Sequence, residues 1–353
     1  MNKINSYSLM TARQLRQKTQ KEVAEAVGIS QAKLSKAEND LQELPEKVLP
    51  KLADYYDLPL DFFFSQKDMM PVGHFYYRKK LCISEKVIDS FEAKIRIIKN
   101  IIDDIMSCVD VPEYKLSSYS EKDDTPSEIA KKIRYELKVF RGPVRHLCKL
   151  LERNGIIIFR MDFGTDKIDG VTSVTASNRK VVFLNSKMPN DRVRFSLAHE
   201  LGHLVMHIER PPLSVENVED SADKFASEFL MPGEEIKNDF STVFNFDTLG
   251  QLKRKWGVSM RALVRRAKDL GMISQTAYRN MQINFSKRGY NRKEPFEISF
   301  DAPTLFNDTL TLYKSELGYT DAELQKLMKI GERDYKEWFL PRTKIVELHP
   351  FIR

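Results

Sequence analysis

The 353-residue chain contains little cysteine and lacks any long run of apolar residues. Its three cysteines are widely spaced and form no Cys-x-x-Cys pair, which argues against a disulfide framework and against thiolate zinc ligands. No apolar stretch approaches the roughly 20 residues that cross a bilayer, and the first residues lack the apolar core of a secretion signal. We therefore expect a cytoplasmic protein with no membrane partner.

The overall composition is that of an ordinary globular protein. Hydrophobic residues make up 42% and charged residues 30% of the chain, a balance that excludes an extensively disordered protein. The length allows two or three domains with separate hydrophobic cores. The net charge of +7 permits a polyanionic partner but does not by itself require one.

Changes in composition along the chain divide it into four predicted segments. Residues 1–66 form a run of short helices. Residues 67–123 combine a mixed, basic stretch with a long amphipathic helix, which we interpret as a linker or interaction arm. Residues 124–275 are predicted to form a mixed domain, and residues 276–353 a helical C-terminal region. The predicted fold class is multidomain and mainly α.

Three β-rich runs in the third segment predict a small sheet, so that this segment is an α+β domain. They are IIIFR (156–160), VTSVT (171–175) and VVFLN (181–185). In the last segment, LGYTDAELQKLMKIGERDYKEWF (317–339) loosely echoes the first segment. The echo is too weak to predict a second DNA-binding unit.

The stretch FSLAHELGHLVMH (195–207) places three of the six histidines of the chain within nine positions. Residues four apart share one face of an α-helix, so His199 and His203 can direct their imidazoles at a common metal ion. Glu200, about 100° round the helix, can reach water at that ion without being a ligand. This arrangement is typical of zinc hydrolases, in which the glutamate is the general base. The alternative is a buried helix whose histidines bond only to backbone or carboxylate groups.

A third zinc ligand is expected from the next helical stretch, VENVEDSADKFASEFLMP (215–232). On a helical projection, Glu219 and Asp223 share a stripe with Ala222 and Ala226, and these small residues allow helices to approach closely. Glu219 is therefore the preferred third ligand. Asp223, one turn further on, is placed to accept a hydrogen bond from a ligand histidine and fix its tautomer.

Other candidates for the third ligand are less well placed. Glu228 lies on the opposite face of the same predicted helix, and Glu216 stands outside it or at its start. His207 is a rival ligand, but it lies about two helical turns from His199. We interpret His207 as a residue near the site or as a structural one.

Taken together, AHELGHLVMH and the following E-x-x-A-D-x-F-A-x-x-F-L-M-P resemble the ImmA/IrrE family of zinc metallopeptidases. The resemblance covers roughly Thr125 to Ser274. It implies a zincin-like fold, a zinc ion held by His199, His203 and Glu219, and Glu200 as the catalytic residue. It also implies action on a narrow set of partner repressors, although it supports the metal site better than it supports proteolysis.

The stretch QKTQKEVAEAVGISQAKLSKAEND (17–40) predicts a helix, a glycine-containing turn and a second short helix capped by Ser30. It resembles the helix-turn-helix of phage-repressor-like, XRE-type regulators. In such units the second helix enters the major groove, where glutamine can read adenine, lysine can read guanine and alanine can contact a thymine methyl group. The candidate DNA-contacting residues are Gln20, Ser30, Gln31, Ala32, Lys33, Ser35, Lys36 and Asn39.

The charges of this segment are polarised, as a one-sided DNA surface requires. Residues 1–37 contain seven basic and two acidic residues, whereas residues 38–66 contain two basic and seven acidic residues. A helical protein-interaction domain with the same fold is the alternative interpretation.

These features predict a transcriptional regulator with a fused zinc-dependent endopeptidase-like domain, acting in a prophage, mobile-element or stress-response switch. The expected partners are double-stranded operator DNA and a repressor, antitoxin or toxin protein as substrate. A homodimer is expected because one helix-turn-helix reads only a half-site. Two other functions remain open: a regulator that uses the zinc fold only as a sensor, and an antitoxin-like protein that neutralises a partner and represses its own operon.

Overall fold

A computed structural model of the chain describes residues 4–65, 83–210, 217–240, 245–291, 293–299 and 301–340. The predicted fold class is confirmed: the described residues are mainly helical, with a small three-stranded sheet. The chain divides into two compact units. The terminal unit combines residues 1–70 with residues 309–353, and the central unit comprises residues 71–308. None of the described helices is both long and apolar enough to cross a membrane.

The N-terminal part of the terminal unit contains four short helices: α1 (Ser6–Leu15), α2 (Gln20–Val27), α3 (Gln31–Glu38) and α4 (Leu49–Tyr56). Each begins where the sequence supplies a suitable first residue. The Thr19 side chain and Glu22 form a capping box at the start of α2, and the Ser30 hydroxyl accepts a hydrogen bond from the Lys33 N–H at the start of α3. Their apolar faces meet in a core that includes Leu9, Val23, Leu34, Leu52 and Phe63.

The sheet of the central unit consists of β1 (Ile156–Met161), β2 (Gly170–Val174) and β3 (Lys180–Asn185). Its strand order is β1-β3-β2, with β1 parallel and β2 antiparallel to β3. All six residues of β3 are buried, as expected for the central strand of a covered sheet. The three strands lie at the runs predicted from the sequence.

The long amphipathic helix α5 (Glu85–Met106) packs within the central unit. Phe91 contacts Phe163 with ring centroids 4.5 Å apart, and Asp103 accepts a 2.6 Å hydrogen bond from Thr175. Its apolar face is buried, so this part of residues 67–123 does not stand apart as the predicted linker or interaction arm. The basic stretch before it, residues 75–80, lies outside the described residues.

Helices surround the sheet in the rest of the central unit. They are α6 (Pro126–Glu136), α7 (Leu147–Glu152), α8 (Asn190–His203), α9 (Val218–Leu230), α10 (Gly233–Asp239), α11 (Phe246–Trp256), α12 (Met260–Asp269) and α13 (Gln275–Lys287). Helices α8 and α9 pack closely on each other, and their fully buried residues Leu197, Leu201, Phe225 and Phe229 belong to one hydrophobic core with Val182 of β3. This packing brings the two predicted metal-binding stretches face to face.

The C-terminal part of the described chain contains α14 (Leu305–Ser315), α15 (Asp321–Met328) and α16 (Glu332–Phe339). From Thr309 onward these residues group with the N-terminal helices rather than with the central unit. The terminal unit is therefore built from two parts of the chain that are distant in sequence.

Candidate metal centre

Helix α8 carries the His-Glu-x-x-His stretch and ends at His203, where a π-helical turn (Leu204–Ile208) follows. The four-residue spacing brings Nε2 of His199 and Nε2 of His203 to 3.0 Å from each other. Both imidazoles are largely buried, with side-chain exposures of 16% and 9%. Two nitrogen donors therefore converge on one point beside α9.

Glu219, in the first turn of α9, supplies a third donor at the same point. Its carboxylate oxygens lie 3.8 Å from Nε2 of His199 and 3.4 Å from Nε2 of His203. Zinc bonds to nitrogen and oxygen are about 2.1 Å long, so donor atoms around a tetrahedral zinc ion are about 3.4 Å apart. The three donors fit a single ion of this kind. Glu228, in contrast, faces away and pairs with Arg266.

Asp223 contacts His199 at Nδ1, the ring nitrogen that does not face the other donors. Its Oδ1 lies 2.8 Å from Nδ1 of His199, which leaves Nε2 of that ring directed at the other donors. Burial alone lowers the pKa of His199, but the hydrogen bond that the ring donates to Asp223 and the nearby carboxylates of Glu200 and Glu219 outweigh it and raise the pKa. Asp223 lies within hydrogen-bond distance of His199, and its role in fixing the tautomer of that ring stays a prediction.

His207 and Glu121 form a similar chain of contacts beside His203. The sequence analysis did not predict this role for either residue. Nδ1 of His203 lies 2.9 Å from Nδ1 of His207, whose Nε2 lies 3.3 Å from the carboxylate of Glu121. Burial lowers the pKa of His203 to about 4, so this ring is neutral at pH 7 and able to ligate. The only sequence signal was the repeated four-residue spacing, since Glu121 is distant in the chain.

Glu200 lies in a closed pocket between α8 and β2. The side chain is buried, and the Thr172 hydroxyl lies 2.7 Å from its Oε2. Gly170 leaves the space that this carboxylate fills, because a Cβ atom there would be 2.9 Å from Oε1. Burial raises the pKa of Glu200 to about 7, against the opposing effects of His199 and of the Thr172 hydrogen bond. A carboxyl group whose pKa is about 7 can both accept and return a proton near neutral pH.

A cavity of about 550 Å³ adjoins the metal centre and shares Asp223 with it. Helices α8, α9, α12 and α13 all contribute to its wall. The lining includes the charged residues Asp169, Arg192 and Arg261 and the aromatic residues Phe195 and Tyr278. Such a mixture of polar and aromatic groups next to a reactive centre is typical of a ligand-binding cleft.

The predicted DNA-contacting residues lie on and around α3. Gln31, Ala32 and Lys36 are exposed, whereas Lys33 and Ser35 are half-buried. Gln31 and Ala32 form the accessible start of the second helix of the unit, where a helix-turn-helix meets base edges, and Lys36 is exposed in its last turn.

Three other residues from that set make bonds within the domain. Gln20 donates a 2.8 Å hydrogen bond to Glu38, and Asn39 donates one of 2.8 Å to the Ser35 carbonyl. Ser30 caps α3. Their side chains position α3 in the absence of DNA.

Comparison with known families assigns both regions. Residues 151–268 match the M78 peptidase family, described as the IrrE N-terminal-like domain, and residues 9–63 match the helix-turn-helix family. The chain joins a helix-turn-helix domain to an IrrE-like peptidase domain. No curated protein matches the chain. The IrrE-like domain contains the whole candidate metal centre except Glu121, and α14–α16 lie outside both matched regions.

Proposed function

We propose that this protein is a DNA-binding regulator whose IrrE-like domain holds a zinc ion and cleaves a partner protein. The observation that carries the proposal is the meeting of three donor atoms, from His199, His203 and Glu219, beside the buried carboxylate of Glu200. Zinc held there would supply Lewis acidity toward water and toward a peptide carbonyl. A histidine-rich structural helix would not need a carboxylate from a second helix at the same point.

Glu200 is proposed as the general base. Its carboxylate takes a proton from the attacking water and returns it to the leaving amine as the peptide bond breaks. Thr172 fixes the carboxylate through its hydroxyl, while Asp223 and His207 hold the two imidazoles in place. The chain therefore positions each group before a substrate arrives, which lowers the cost of reaching the transition state.

For the substrate we propose a segment of a partner repressor, antitoxin or toxin that lies in the cavity beside Asp223. For the N-terminal domain we propose operator binding through α3, with Gln31, Lys33 and Lys36 reaching the major groove. Two copies of the chain would read the two half-sites of an operator, so a homodimer on DNA is part of the proposal.

The replacement of Glu200 by Gln tests the catalytic part of this proposal. The amide keeps the size of the side chain but cannot take a proton, so E200Q should bind zinc as the wild type does and should not cleave. The assay is incubation of zinc-loaded full-length protein with a proteome-derived peptide library, with cleavage sites read by mass spectrometry. If the wild type and E200Q produce the same cleavage pattern, Glu200 is not the base and the proposal is wrong.

The same variant separates proteolysis from a sensor role. If the wild type binds zinc, and E200Q restores normal operator regulation in a deletion strain, hydrolysis is not the function. The sensor interpretation would then replace the peptidase one.

A further inference from the structure

The C-terminal helices repeat the lengths and spacing of the N-terminal helix-turn-helix. Helices α2 and α3 have eight residues each, as do α15 and α16. Asp321 and Glu332, which begin α15 and α16, each stand 301 positions after Gln20 and Gln31, which begin α2 and α3. Helix α14 precedes this pair as α1 precedes the first pair. Three consecutive helices thus recur in the same order along the chain, and the last two recur with the same spacing.

The ends of the repeated helices have the same local chemistry. Thr19 and Glu22 form a capping box at α2, and Thr320 and Glu323 form one at α15. The residue that follows each of these helices has a left-handed backbone, with φ of 75° at Gly28 and 53° at Lys329. The buried positions also coincide at the same offset: Val23 with Leu324, Val27 with Met328, and Leu34 with Tyr335. The echo noted in the sequence thus extends to the lengths, the caps and the buried positions of these helices.

The second unit lacks the surface chemistry of a DNA reader. Four positions that carry glutamine or lysine in the first unit carry acids in the second: Asp321, Glu332, Asp334 and Glu337 stand in place of Gln20, Gln31, Lys33 and Lys36. These changes remove the glutamine and lysine side chains with which the first unit is expected to contact DNA, while Arg333 and Lys336 stand in place of Ala32 and Ser35. Among these acids Asp334 is buried, and a buried carboxylate needs a cationic partner within the protein.

The structure contains such a partner within the same compact unit. Arg16, at the end of α1, donates hydrogen bonds of 2.8 and 2.7 Å to the two carboxylate oxygens of Asp334. It also donates a 2.7 Å bond to the Tyr56 carbonyl at the end of α4. The side chains of this ion pair are only 11% and 3% exposed. A bidentate pair shielded in this way fixes both distance and orientation.

The backbone of α16 also approaches the N-terminal unit very closely. A Cβ atom added at Gly331 would lie 2.0 Å from the carbonyl oxygen of Asp57, so only glycine fits at the start of α16. This end of the second helix is the part that meets base edges in a DNA-reading unit. Here it is packed against protein instead.

We propose that α14–α16 form a second helix-turn-helix unit that binds protein in place of DNA, and that its partner is the N-terminal unit. The start of α16 packs on the surface formed by Arg16, Tyr56 and Asp57. This contact stabilises the N-terminal helix-turn-helix. In this arrangement Gln31, Ala32 and Lys36 of α3 remain exposed. The terminal unit therefore keeps one helix, α3, that is accessible to DNA.

Hydrogen–deuterium exchange of the full-length protein tests the docking. D334A removes the acceptor of Arg16, and G331A introduces the clash with Asp57. E337A removes an exposed carboxylate from the same helix and is the matched control. We expect D334A and G331A to raise amide exchange in residues 54–58 and in α16 by about tenfold or more, and E337A to change neither.

Exchange in residues 54–58 that stays at the wild-type level in both D334A and G331A would overturn the proposal. So would an equal rise in E337A, since it would mean that any change in α16 disturbs the unit. Circular dichroism shows whether α16 stays helical: wild-type helix content together with faster exchange in residues 54–58 identifies loss of docking rather than loss of folding.

DNA binding gives the second test, and it distinguishes this proposal from the proposed operator function. The probe is a duplex selected by the wild-type protein from a randomised library. We expect K36A to weaken binding by about tenfold and the double variant R333A/K336A in α16 to leave it within about twofold. An equal loss in both would mean that α16 contacts DNA, which overturns the proposal. If the wild type selects no duplex, the operator function fails while the exchange experiment still decides the docking.

Discussion

The hydrogen bond from the His199 ring to the Asp223 carboxylate allows a quantitative prediction about zinc affinity. Partners that orient a ligand histidine contribute about 10- to 100-fold to metal affinity. The bond is short, at 2.8 Å, but the Asp223 side chain is 61% exposed, and water can replace part of what it supplies. We therefore expect the lower end for D223A, about a tenfold weaker zinc affinity, which corresponds to about 1.4 kcal/mol.

Competition with a chelating dye at pH 7.5 measures this change. Glu219→Ala removes a proposed zinc ligand, whereas D223A removes only a residue that orients a ligand. The loss of zinc affinity should therefore be much larger in E219A than in D223A. Asp220→Ala is the matched control, because Asp220 lies on the same helix and pairs with Lys224 at 2.6 Å instead of facing the histidines. Wild-type affinity in D223A, or a loss as large as that of E219A, would refute the division into ligands and orienting residues.

Three further changes follow from the same geometry. G170A places a Cβ atom 2.9 Å from Glu200 Oε1, so peptide cleavage should fall by about tenfold or more while zinc content, read by mass spectrometry, stays unchanged. H207A removes the partner of His203 and should weaken zinc binding by about tenfold in the dye assay; an unchanged affinity would show that His207 is only a packing residue. E228A removes the carboxylate that pairs with the buried Arg266 and should lower the free energy of unfolding, measured by chemical denaturation, by about 3–5 kcal/mol. The double variant E228L/R266M replaces both charges by apolar side chains and should lower it by less.

The pattern of the sequence was sufficient to predict the features set by local periodicity. The three β-rich runs are strands, and the stripe of Glu219 and Asp223 on α9 does face the histidines of α8. These features follow from side-chain spacing along one helix or strand. Periodicity does not give the exact start of a helix: α7 begins only at Leu147, because His146 before it has a left-handed backbone.

Features that depend on contacts between distant residues could not be predicted in this way. An amphipathic pattern shows that α5 has an apolar face, but not that Phe91 and Asp103 pack against the region around the sheet. The four-residue spacing from His203 to His207 hints at their contact, but neither the π-helical turn between them nor the position of Glu121 beside His207 has a local signal.

The sequence showed the echo in the C-terminal helices, but it did not predict the proposed second helix-turn-helix, for a related reason. Its caps and buried positions are retained, but acids have replaced the residues by which such units are recognised. The bond from Arg16 to Asp334 joins residues 318 positions apart, so it becomes visible only in three dimensions.

The zinc content of the purified full-length protein tests the metal centre most directly. Elemental analysis after removal of loosely bound metal should give about one zinc per chain for the wild type and for E200Q, and close to none for H203A and E219A. A zinc-free wild type, or equal zinc in E219A, would contradict the assignment of His199, His203 and Glu219 as the ligands.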